Sequence, residues 1–125
     1  MIGRLMLSAA GIAALIGFGA VPAFADGGQE VATAATHAGM AASASDIKMV
    51  HMHLHHVVNC IVGPSGDGFD KAAGNPCDGQ GNGAMADGGD KMKLGDALAK
   101  AKAGIANDDL AASKKAAGEA QAALK

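Results

Sequence analysis

The chain has no tryptophan or tyrosine, three phenylalanines and one arginine in 125 residues. Phe18, Phe24 and Arg4 all lie in the first 25 residues, so Phe69 is the one such aromatic beyond them. Alanine, the commonest apolar residue, favours helix but buries little area, and any core must rest on a few Leu, Ile, Val and Met side chains. Beyond residue 25 there is no arginine fork to clamp phosphates or carboxylates. Nine lysines face twelve acidic residues there, a net charge of −3. That balance argues against nucleic acid, which needs a basic stripe. Haem is not expected either: Cys-x-x-Cys-His is absent, and an Ala-rich bundle with so few aromatics would struggle to enclose a macrocycle. Ser43, Ser45, Ser65 and Ser113 have no evident His/Asp context, and nothing in the chain builds a substrate pocket. An enzyme is not expected.

What is present begins with a targeting segment. One positive charge at Arg4 precedes an apolar run from Leu5 to Phe18, then Pro22 and the small-x-small ending Ala23-Phe24-Ala25. Residues 1–25 read as a secretory signal peptide, cleaved before Asp26. The alternative is an uncleaved anchor, because Leu5 to Ala25 approaches spanning length; Pro22 and the Ala-x-Ala ending favour cleavage. The remaining chain is expected to be periplasmic or secreted and free of the membrane. An oxidising compartment favours a disulfide between Cys60 and Cys77, the only cysteines. It would close a loop of about 17 residues and stabilise by about 3 kcal/mol in the chain-entropy model. The competing role for Cys60 is a metal-ligating thiolate.

Residues 26–125 then divide into a His-rich hairpin (26–62), a Gly-rich loop (63–89) and an Ala/Lys-rich hairpin (90–125). Val31, Ala34, Ala35, Ala38, Ala41 and Ala42 make an Ala-lined helical stripe. Ile47, Val50, Leu54, Val57, Val58 and Ile61 form the strongest amphipathic pattern of the chain, ended by Gly63-Pro64. Leu94, Ala97, Leu98, Ala101 and Ile105 line a third helix, and Leu110, Ala117, Ala120 and Leu124 a fourth. The expected fold is all-α, a small antiparallel four-helix bundle of two αα-hairpins whose long Gly/Asp-rich middle loop is stapled by the disulfide. Within that loop, Asp78 to Gly83 matches the front of a calcium loop, but position 12 falls on Gly89 where a bidentate Glu is required. Turn chemistry is the better account, and calcium is not expected.

The second helix carries four of the five histidines, in Met49-Val50-His51-Met52-His53-Leu54-His55-His56. His51 and His55, spaced i, i+4, lie along one margin of its buried arc and can offer two imidazoles to one ion. Met49, Met52, His53 and His56 form a stripe on the outward arc, which Cys60 extends by a turn; this mixed N/S set suits copper. His37 and Met40 come from the first helix, and with a turn near Ser45, His37 falls about level with His53. Protonated imidazole cannot coordinate, so binding is expected to weaken as pH falls through about 6.5.

His37-Ala38, His51, His53, His55 and His56, with the Ala/Lys/Asp-rich stretch from Asp96 to Lys125, give a chain that resembles the small periplasmic His-rich helical metal-binding proteins of bacteria. The resemblance implies a helical bundle that takes up copper, nickel or zinc to buffer or traffic it. It does not extend to the Gly-rich loop or the cysteines, and the C-terminal hairpin has no histidine. The expected function is therefore binding of one or two transition-metal ions per chain, copper first, then nickel or zinc, for sequestration, buffering or delivery. A periplasmic partner protein is a further expectation. The rival is a disulfide-stapled structural or adaptor module that docks a partner protein and uses no metal.

Overall fold

Three aspartates at the ends of turns set the starts of three helices. Asp46 accepts a hydrogen bond from the Met49 amide at 2.9 Å, Asp90 from Met92 and Lys93 at 3.0 and 3.1 Å, and Asp109 from Ala112 at 2.8 Å. Each carboxylate satisfies amides that the first helical turn leaves unpaired and complements the helix dipole. In the computed structural model, which describes residues 27–125, the helices are α1 (Gly28–Ser43), α2 (Ile47–Val62), α3 (Lys91–Ile105) and α4 (Leu110–Ala123). There is no strand among the described residues. The signal peptide expected over residues 1–25 lies outside them. No described helix is long and apolar enough to cross a membrane.

The helices close into a ring, α1 against α2, α2 against α3, α3 against α4 and α4 against α1, as in a four-helix bundle. The bulk of the core comes from α2, whose Val50, Leu54, Val57, Val58 and Ile61 are buried. Its neighbours supply mostly small residues: Ala34, Ala38 and Ala41 from α1, Ala97 and Ala101 from α3, Ala117 and Ala120 from α4. Leu94 and Leu124 add the larger side chains of the C-terminal half. One hydroxyl is enclosed: Ser113 donates to the Gly104 carbonyl at 2.8 Å, which removes the penalty of burying it.

Several contacts hold the loop between α2 and α3. Cys60 and Cys77 are joined by a disulfide. Asn59, fully buried, donates to the carbonyls of Asp70 and Gly74 at 2.7 and 2.6 Å and accepts from the Asp70 amide at 2.8 Å. Between those contacts runs a single 3-10 turn, Lys71–Ala73, capped by the Asp70 carboxylate. Further on, the loop returns to the end of α2, where Ala84 and Met85 donate to the carbonyls of Cys60 and Ile61, both at 3.0 Å. Gly63 makes this approach possible: its φ is +71°, and a Cβ there would strike the Asn82 carbonyl.

A further tether is Glu30 in α1, 1% exposed, which accepts from the Gly83 amide at 3.2 Å. Burial, then its hydrogen bond with Asp87, pushes the Glu30 carboxyl above its ordinary range. Asp87 is pulled down, first by the Asn82 amide that donates to it at 2.6 Å. Nothing in the first turn of α1 marks Glu30 as buried in the sequence, because the loop that covers it is more than 50 residues away.

Candidate metal centre

His37 on α1 and His53 and His56 on α2 converge on one point of the bundle surface. His37 Nδ1 lies 3.1 Å from His53 Nδ1 and 3.2 Å from His56 Nδ1. All three can offer one ligand atom within 4.8 Å of the others. Ring centroids are 4.8 to 5.7 Å apart, with His56 edge-on to His37. Two imidazole nitrogens bound to one tetrahedral ion at about 2.0–2.1 Å stand about 3.3 Å from each other. The spacing across the hairpin is thus close to that of a first-row ion.

The proton of His56 can be assigned. His56 Nε2 lies 2.8 Å from the Ala73 carbonyl, which can only accept, so Nε2 carries the hydrogen. In the neutral ring Nδ1 then has a free lone pair, and it faces His37. A carbonyl behind a histidine that fixes tautomer and ring angle is the usual support of a metal-ligating imidazole. That carbonyl belongs to the 3-10 turn, which Asn59 clamps at Asp70 and Gly74. Asn59 to turn to Ala73 to His56 is one connected chain of positioning. Replacing Asn59 by Ala leaves two carbonyls and an amide without partners, and about 2–3 kcal/mol of stability is expected to go. Urea unfolding of the metal-free protein reads that loss, and metal titration should show an affinity about tenfold lower. Unchanged affinity would detach the turn from the site.

Burial lowers the pKa of His37 to about 4, with the neighbouring charges of His56 and His53 adding to it. His53 is lowered for the same reasons, burial first and then His56. Two consequences follow for pH. Protons compete for His37 and His53 only below the ordinary histidine range, so the hold of these two rings on a metal should persist at pH 6 instead of fading through 6.5. Without metal, an unfolded His37 takes up its proton near 6.5 whereas the folded one resists it until about 4. The unfolded state binds more protons between those values, so this contribution is complete above pH 6.5 and shrinks as pH falls towards 4. About 1–2 kcal/mol is expected for a half-buried ring. Glu30, with its raised pKa, contributes with the opposite sign, its stabilisation being lost as pH rises. The pH dependence of stability in wild type minus that in His37→Gln isolates the histidine; parallel curves would refute the assignment.

The other sequence-predicted histidines, and Cys60, are placed elsewhere. His51 Nε2 donates to the Asn107 carbonyl at 2.9 Å, towards the α3–α4 connection. His55 Nδ1 lies 3.4 Å from Asp70 Oδ2. The i, i+4 pair thus has two separate partners, and neither ring joins the three-histidine group. Met49 and Met52 are 40% and 36% exposed. Cys60, expected on the outward arc, is fully buried and bonded to Cys77, so it offers no thiolate. The reason is the loop: it folds over the last turn of α2 and covers an arc that a helix-wheel view assigns to solvent.

No protein-family model matches the chain, and no curated protein or solved structure matches it. The site is therefore argued on its own atoms.

Proposed function

We propose that the protein binds a transition-metal ion through His37, His53 and His56, copper first and then nickel or zinc, and sequesters, buffers or delivers it in the periplasm. The observation that carries this reading is the convergence of Nδ1 atoms from two helices, with His56 turned to the cluster by the Ala73 carbonyl. Three imidazoles leave a coordination position for water, a thioether or an acceptor protein, which suits a carrier better than a sealed structural site. A disulfide-stapled bundle, with its two hairpins antiparallel, keeps such a site assembled outside the cell, where cleavage of the signal peptide would release it. No catalytic step belongs to this reading.

Metal content by mass spectrometry, on untagged protein matured in its own periplasm, is the direct test. Near-stoichiometric copper, nickel or zinc supports the reading; metal-free protein that also ignores added copper and zinc ends it. One observation favours the adaptor alternative: the middle loop is pinned by the disulfide, Asn59 and Glu30, yet only Ala73 of it is hydrogen-bonded to the three-histidine group. A pinned surface loop is what partner docking needs. Partner capture unaffected by chelator would support that alternative.

A further inference from the structure

The register that sets His37 beside His53 continues towards the α1–α2 connection. Met40 lies one turn beyond His37 on α1, and Met49 one turn before His53 on α2. These two methionines and His53 line a recess of about 390 Å³, completed by Ser43, Ala44 and Ser45. Met40 is 46% exposed and Met49 40%, so neither side chain is explained by core packing. Met52, grouped with Met49 by helical spacing, does not line the recess.

We propose that this recess is a second metal site, selective for the cuprous ion, formed by the thioethers of Met40 and Met49 with an imidazole nitrogen of His53. Thioether sulfur is a soft ligand that holds Cu(I) and has little affinity for Zn(II) or Ni(II), whereas imidazole accepts all of them. His53 is common to the recess and to the three-histidine group; its neutral ring has one lone pair and ligates one ion at a time, so with both sites filled by Cu(I) the second ion is held by His37 and His56 alone. A cuprous ion held by the methionines therefore sits next to the three-histidine group. The shared His53 is the one respect in which this inference rests on the metal reading above.

The test is anaerobic titration with Cu(I) against a chromophoric Cu(I) chelator, paired with calorimetric titration by Zn(II), on wild type and Met40→Leu/Met49→Leu. Leucine nearly conserves volume and apolar surface, so the fold is retained, and thermal unfolding checks this. Wild type should take up about two Cu(I) and about one Zn(II) per chain; the double variant should lose one Cu(I) equivalent and keep its Zn(II) affinity within about threefold. X-ray absorption should show sulfur around copper in wild type and none in the variant. Equal Cu(I) uptake by both proteins overturns the proposal and leaves the methionines as apolar surface. Failure of the three-histidine reading looks different: no Zn(II) binding in wild type, with a single Cu(I) equivalent that the leucine variant loses.

Discussion

Alanine at His37 is expected to weaken binding of divalent copper, nickel or zinc by at least about a hundredfold. Structural zinc sites with four ligands contribute about 10–16 kcal/mol, which is roughly 3 kcal/mol for each ligand. His37 is the one member of the cluster from α1, and its Nδ1 is the atom within 3.2 Å of both partners. Without it, His53 and His56 remain as an i, i+3 pair on one helix. His51→Ala and His55→Ala are the controls: they remove histidines from the same helix, and affinity should stay within about threefold, because their rings pair with Asn107 and Asp70. Competition titration with a colorimetric chelator reads all three variants. An equal loss in His51→Ala would move the site to the margin facing α3 and α4 and abandon the present one.

Removing the disulfide should have the largest effect on stability. The Cys60→Ala/Cys77→Ala variant loses a cross-link over 17 residues, worth about 3 kcal/mol. For a domain of this size that is a fall in Tm of roughly 12–20 °C, readable by circular dichroism on metal-free protein. The core cannot offset it, since three of the four helices contribute mainly alanine to the interior. The loop would still be held by Asn59 and Glu30, so His56 keeps its carbonyl partner and metal affinity should fall by no more than about tenfold. A Tm drop of only a few degrees would mean that those two side chains, and not the cross-link, order the loop. Added metal should raise Tm in both proteins, because it binds the folded chain.

The pH behaviour and the choice of ligands share one physical origin. Burial first, and then the neighbouring rings, lower the pKa of His37 and His53, so these two rings resist protonation in acid that would protonate free histidine. Neutral imidazole is the ligating form. Burial thus does for this site what an added carboxylate could not: it keeps protons away without supplying a competing ligand.

Much of this was legible from the chain alone. Periodicity marked four helices, because a 3.6-residue repeat of apolar side chains admits no other regular structure. The two cysteines, separated by a Gly- and Pro-rich loop, marked a cross-link. Clustered histidines marked a helix that could contribute to holding a metal ion, and a short connection at residues 44–46 set His37 level with His53 across the hairpin. All of these are local signals, or follow from a local signal and one short turn. The tertiary structure decided which histidines meet. Helical spacing groups His51 with His55 and places His53 and His56 on an outward arc, but an arc is outward only if nothing packs on it. In the folded chain α1 closes against one flank of α2 and the middle loop covers its last turn. The first contact makes His53 and His56 the partners of His37; the second buries Cys60 and brings the Ala73 carbonyl behind His56. Glu30 and Asn59, which hold that loop, owe their roles to segments distant in sequence, and only the closed bundle brings them together.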